Sequence, residues 1–281
     1  MDSMKKVNTL RELQLISIYI YKTLMEFCSK NDINVYLHGG SLIGAIRHGG
    51  YIPWDDDIDI CMSRTDYEKL IALSGGKISS DCKIIDPATN PDFNGYIPVI
   101  VYEHSKMNSK QYKIPEDLKI GISVFVYDGI SANPFIQKLY YARMFLLRAE
   151  HALCRADFNH VHTSIAKRFG FFFQRFYKAT NVEKYKVKIL KLQQKYNYET
   201  SEYVSTNADY QASKEICLKT DFERAVPLEF EGIASYTYSH FDSHLREYYG
   251  DYMQLPPVEQ QEPKHGFEAW VDEDFDFEFL N

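Results

Sequence analysis

Several features that commonly reveal what a protein does are missing from this chain of 281 residues. Its five cysteines, Cys28, Cys61, Cys82, Cys154 and Cys217, include no C-x-x-C pair. They read as ordinary thiols of a reducing compartment, not as a disulfide framework. Excess positive charge is also missing, with 32 Lys and Arg against 39 Asp and Glu and a formal net charge of -7. That balance argues against a dedicated nucleic-acid binder, although a local basic patch stays open. No apolar run is long enough to cross a bilayer, and no basic n-region precedes an apolar h-region at the start, so a cytoplasmic protein is expected. There is no internal repeat, heptad, Walker lysine loop, G-x-G-x-x-G fingerprint or serine-hydrolase elbow. What is plentiful is aromatic: 22 Tyr and 18 Phe. These suit a core, a sugar-stacking surface or a membrane surface, and composition does not choose among them. The length and a 45% hydrophobic content fit one large domain, or one domain with an inserted lobe.

The most informative stretch runs from His38 to Asp59. It follows the apolar run Ile33-Asn34-Val35-Tyr36-Leu37, so Gly39 and Gly40 fall where a strand ends and a helix begins. Free N–H groups there, with the Ser41 hydroxyl, form a cradle for a phosphate, and His38 and His48 flank it. Trp54 then introduces Asp55, Asp56, Asp57 and Asp59. On a strand Asp57 and Asp59 share one face while Ile58, Ile60 and Met62 point into a core. Two carboxylates held together in this way call for a cation, and oxygen donors suit Mg²⁺ or Mn²⁺. The competing reading is a polar turn at Gly49-Gly50 followed by an acidic edge strand. Trp54 either stacks on a base or sugar or packs beneath the loop.

Around this stretch the chain alternates helix and strand, which predicts an α/β (α+β) fold with a mixed sheet and flanking helices. Residues 9–30 predict an amphipathic helix, opened by a Thr9/Glu12 capping box, and Arg64 to Leu73 a second one. Strands are expected at Cys82–Ile85, at Tyr96–Tyr102 with Pro98 marking an edge, and at Gly121–Gly129. Asp128 ends the last of these, either as a catalytic group or as a turn cap. From Pro134 to Tyr198 the texture is helical and locally basic, with Arg143, Arg148, Arg155, Lys167, Arg168, Arg175 and Lys178. Such a lobe fits a solvated basic face, an anionic substrate or a membrane surface. His151, His160 and His162 lack zinc spacing and read as structural or surface groups. Tyr203 to Glu215 reads as a polar connection, and the tail from Asp272 to Phe279 alternates acidic and aromatic residues, as an edge strand, docking peptide or mobile end. The divisions expected are a core at 1–132, a helical lobe at 133–200 and a core-completing segment with a lid or tail at 201–281.

The glycine turn joined to Ile52-Pro53-Trp54-Asp55-Asp56-Asp57-Ile58-Asp59, with the Asp66-Tyr67-Glu68-Lys69-Leu70 run, resembles the signature of the LicD/fukutin-type phosphotransferases of the nucleotidyltransferase superfamily. Phe230-Glu231-Gly232, the segment from Tyr249 to Pro257 and His265 resemble that family's C-terminal half. The resemblance implies a nucleotidyltransferase-like core and a metal-dependent transferase. It implies movement of phosphocholine or an alditol phosphate from a CDP-linked alcohol donor to a sugar hydroxyl of a cell-surface glycan precursor, releasing CMP. The acceptor is lipid-linked in some members, which implies work at the inner face of the plasma membrane and peripheral membrane contact. Asp57, Asp59 and Asp128 are the expected metal ligands. Arg47 joins them as a catalytic residue, and His38, Gly39, Gly40, Ser41, His48 and Trp54 as donor-binding residues. Where family members carry a third aspartate, this chain has Ser123, with Asp128 matching a later one. Two alternatives follow: a nucleotidyltransferase acting on a small phosphorylated alcohol, and a catalytically degenerate glycan-assembly protein.

Overall fold

The computed structural model of the protein describes residues 3–108, 117–155, 172, 175–178, 181–206, 212–263 and 268–279. His160, His162, Lys167, Arg168 and His265 lie outside the described residues. After a short strand β1 (Met4–Lys6), helix α1 (Leu10–Lys30) opens as its sequence predicts: Thr9 Oγ1 accepts from Glu12 N, and the Glu12 carboxylate accepts from Thr9 N. Its apolar stripe, including Leu13, Ile16, Ile20 and Leu24, is buried and packs across the central sheet.

That sheet takes β2 (Tyr36–Leu37), β3 (Asp59–Ser63), β7 (Gly121–Ile130), β5 (Val99–Tyr102) and β4 (Cys82–Ile85) in that spatial order. Strand β8 (Tyr203–Thr206) pairs the far half of β7, and β9 (Cys217–Leu218) pairs β8. Strands β3 and β7 are parallel and the other pairs antiparallel, so the sheet is mixed, with helices packed against it as expected. Both faces of β3 are covered: Ile60, Cys61 and Met62 are all fully buried. Helix α2 (Gly39–His48) connects β2 to the carboxylate loop, and α3 (Arg64–Ser74) follows β3.

Three expectations change in detail. Of the Ile33–Leu37 run only Tyr36 and Leu37 pair with a neighbour. Pro98 does not mark an edge, because β5 lies between β4 and β7; the proline precedes the first paired residue and its carbonyl accepts from Val124 N at 2.9 Å. The acidic-aromatic tail is packed: β12 (Glu268–Asp272) is the middle strand between β1 and β6 (Ser105–Asn108), and Phe275 sits against Tyr19 and Tyr102.

A second apolar cluster joins α4 (Pro134–Arg155) to α5 (Val182–Gln193) through Tyr140, Met144, Leu147, Ile189 and Leu192. It is tied to the sheet side by Lys186, whose Nζ donates to the carbonyls of Asn90 and Phe93, and by Arg148 Nε, which donates to Tyr96 Oη. Helix α6 (Lys219–Phe222), the hairpin β10 (Ala225–Phe230) and β11 (Ile233–Tyr238), and α7 (Phe241–Tyr249) then return to the core. A cavity of about 270 Å³ lies between the back of the sheet and α5.

Candidate active site

The site is built by one reversal of the chain. Backbone at His38 is extended, and Gly39 follows at φ +52°, a conformation that favours glycine, so the strand turns into α2 within one residue. Ten residues later Gly49 closes the helix at φ +71° and the chain runs back along it. Gly44 makes this return possible. A Cβ there would stand 2.4 Å from the Gly50 carbonyl oxygen and 3.2 Å from Ile52 N. The loop therefore delivers its carboxylates to the end of α2 where they are stabilised, the N-terminal end with its free N–H groups. Asp55 Oδ2 approaches Gly40, and Asp59 Oδ2 and Tyr249 Oη approach Gly39.

Four groups fix the loop. Ser41 Oγ accepts from Asp59 N at 2.9 Å, pinning the start of β3 to α2. Gln14 Nε2, from α1, donates to the Asp55 carbonyl at 2.8 Å. The Glu231 carboxylate accepts from Tyr51 N at 2.9 Å while bridging to Arg11, and Glu231 N donates to the Gly49 carbonyl. Burial pushes that carboxyl up, but the hydrogen bonds from Arg11 and Tyr51 outweigh it and hold it below the ordinary glutamate range.

Within this frame Asp55, Asp56 and Asp57 each direct a carboxylate oxygen to a common region, the three oxygens within 4.8 Å of one another, with Asp56 buried. Three hard oxygen donors at that spacing suit a divalent cation of the Mg²⁺ or Mn²⁺ type. Asp55 and Asp56 belonged to the acidic run in the sequence, but strand alternation singled out Asp57 and Asp59. The difference arises because β3 begins only at Asp59, so residues 55–57 are a loop and no period-2 rule applies to them.

The structure does not bring Asp128 to these carboxylates. Asp59 pairs in register with Ser123, and Asp128 lies five residues farther along β7, roughly 16 Å at strand rise, on the opposite face. There it receives a two-pronged ion pair from Arg64, Nε to Oδ1 and Nη2 to Oδ2, both at 2.8 Å, and lines the cavity behind the sheet. Arg47 and His48 lie at the far end of α2, about 12–14 Å from Gly39 at helical rise. Arg47 Nη1 donates to the Tyr252 carbonyl at 2.7 Å and also to that of Gln254, tying the C-terminal segment to α2. His48 is exposed, and Trp54 is half-buried, packed on the core with its ring edge-on to His48.

His38 instead turns inward into an assembly that sequence reasoning missed. Its ring packs on Phe125, and its Nε2 stands 3.8 Å from Glu215 Oε2. The same oxygen lies 3.0 Å from His244 Nε2 and accepts from Tyr127 Oη at 2.7 Å. Tyr238 Oη hydrogen-bonds His244 Nδ1. Burial pushes the Glu215 carboxyl up, but His38, His244 and Tyr127 together hold it below its ordinary range. Glu215 ends a polar stretch that reads as a mere connection, and nothing in its neighbours signals a buried carboxylate.

The model of the LicD/FKTN/FKRP nucleotidyltransferase domain matches residues 32–117. The lipopolysaccharide cholinephosphotransferase LicD of Haemophilus influenzae is 30% identical over 278 residues, covering 95% of this chain and 100% of that protein. The human ribitol 5-phosphate transferase FKRP is 42% identical over 48 residues, 17% of this chain and 10% of its own length, and the mouse protein matches equally.

Proposed function

The chain belongs to the LicD/FKTN/FKRP family, and from that premise we propose a transferase that moves a phospho-alcohol group from a CDP-linked donor to a sugar hydroxyl of a glycan, releasing CMP. The observation that carries the reading is the convergence of Asp55, Asp56 and Asp57 beside the N-terminal turn of α2. These carboxylates would hold Mg²⁺ or Mn²⁺, with Asp59 at the same helix end. When bound, the ion supplies counter-charge and polarisation for the donor diphosphate. The amide groups of the first turn of α2, at Gly39, Gly40 and Ser41, would bind and orient phosphoryl oxygens at the positive end of the helix dipole. Gln14, Ser41 and Glu231 hold the carboxylate loop rigid, so that positioning contributes more of the rate than any covalent intermediate. Asp128 and Arg47 have no part in this reading, since both are engaged elsewhere.

Ser123 opposite Asp59 favours a second reading, a glycan-assembly protein without turnover, because a hydroxyl stands beside Asp59 where a carboxylate would strengthen metal binding. One experiment separates them. The protein is incubated with Mg²⁺ or Mn²⁺, CDP-choline or CDP-ribitol, and extracted glycan precursors, with Asp57→Asn as control. CMP together with a phospho-alcohol mass added to the glycan, absent in the control, supports transfer. CMP release without glycan modification points to hydrolysis, and a cytidylylated product to nucleotidyl transfer. No product from any donor and acceptor supports the second reading.

A further inference from the structure

Helix α4 is apolar on two separate sides. Its inner face, with Tyr140, Met144, Leu147 and Cys154, is buried in the cluster shared with α5. The outer side repeats Phe135, Leu139, Ala142 and Leu146 at helical spacing. Phe135 is 69% exposed, Leu139 57% and Leu146 61%, far more than scattered surface residues need. At 100° per residue these four form one narrow stripe, with Lys138 on one flank and Arg143 on the other. The single acidic residue of α4 is Glu150. From residue 134 to 178 the chain carries eight Lys and Arg against two Asp and Glu, a local charge of +6 within a molecule of -7.

We propose that this stripe is a docking surface for an anionic lipid bilayer, on which α4 lies in the interface plane. From Phe135 to Leu146 apolar side chains lie along one line with cations on both shoulders, and the carboxylate of Glu150 comes only one turn beyond; this matches the headgroup boundary, the stripe entering the acyl region while Lys138 and Arg143 reach the phosphates. A second copy of the chain fits less well, because a two-fold contact along the stripe would bring Lys138 and Arg143 against their own equivalents. No described helix is long and apolar enough to cross a membrane, and the proposed contact is with the membrane surface. The proposal does not depend on the transfer chemistry.

The test is sedimentation of the full chain with vesicles of phosphatidylcholine alone or mixed with phosphatidylglycerol, without substrate. The full chain is expected to pellet with the anionic vesicles and to be released at about 0.5 M NaCl, where surface charge is screened. Leu139→Glu with Leu146→Glu is expected to reduce partitioning about tenfold or more at an unchanged melting temperature, and Lys138→Ala with Arg143→Ala to weaken it severalfold. Failure of the full chain to pellet, or pelleting by the double-glutamate variant equal to it, overturns the proposal. So does a dimer in size-exclusion chromatography that this variant breaks while vesicle partitioning stays unchanged.

Discussion

Gly44 and Glu231 show how single residues hold the site. Gly44 leaves no room for a methyl group, so Gly44→Ala is expected to push the Gly50–Ile52 backbone outward at a cost of about 1–3 kcal/mol, seen as a lower melting temperature. Glu231 works against its own backbone. It and Gly232, at φ +52° and +74°, form the two-residue turn between β10 and β11, where a non-glycine residue at the first position is disfavoured. Glu231→Gly should therefore relieve strain while removing the clamp on Tyr51 and Arg11. The expected outcome is a small change in melting temperature with a fall in transfer rate of about tenfold or more, because misplaced groups lose the benefit of orientation. Equal loss of stability and rate would make the clamp merely structural. His240 adds a pH dependence. Burial, reinforced by His244, holds its imidazole down to about 4, against an ordinary 6.5. Between those values the unfolded chain binds more protons than the folded one, so stability is complete above pH 6.5 and drains away as pH falls toward 4. The lowered Glu215 carboxyl has the same sign at the acid end. Melting curves from pH 7.5 to 4 should show that loss, and His240→Asn should flatten its upper part.

At the scale of elements, α2 joins the two halves of the chain. Its N-terminal turn meets the carboxylates, and its last turn holds Tyr252 and Gln254 through Arg47. Arg47→Met keeps the apolar stem but removes both hydrogen bonds. It is expected to free the segment after α7, detected as faster amide exchange at residues 250–255, with an intact melting transition for the core. How legible these elements were depends on how local their causes are. The capping box of α1, the glycine start of α2, and β4 are written in neighbouring residues, and all three appear in the structure. Pro98 misled because strand order in the sheet is decided by pairings across tens of residues. Asp128 reads as the end of a strand before a turn, but β7 runs on to Ile130 and pairs Asp128 with Ser205 inside the ladder, and which groups it faces depends on the register of β3 against β7. Glu215 and His244 meet under His38 from segments separated in sequence, so no local pattern announces them.

Across the whole molecule the two ends of the chain close one structure. Strand β12 lies between β1 and β6, and the tail then lays Phe275 edge-on against Tyr19 of α1 and Tyr102 of β5. Phe279 also meets Tyr19, and Lys5 lies over the ring of Phe277. What reads in the sequence as an acidic tail is therefore a clasp that presses α1 onto the sheet; the acidic residues alternate with the phenylalanines that do the packing. Phe275 is buried, and Phe275→Ala should cost about 3–5 kcal/mol, a cavity-forming loss in which the neighbouring rings relax only partly. The same helix α1 carries Gln14 and Arg11 to the carboxylate loop, so the clasp and the site share a support. Yet the aromatic partners of Phe275 are Tyr19, Tyr102, Phe277 and Phe279, none of them in α2 or in the loop. Transfer measured well below the melting temperature is accordingly expected to survive Phe275→Ala, while the melting temperature drops. Loss of transfer at an unchanged melting temperature would mean that the tail reaches the site itself, and that α1 transmits more than support.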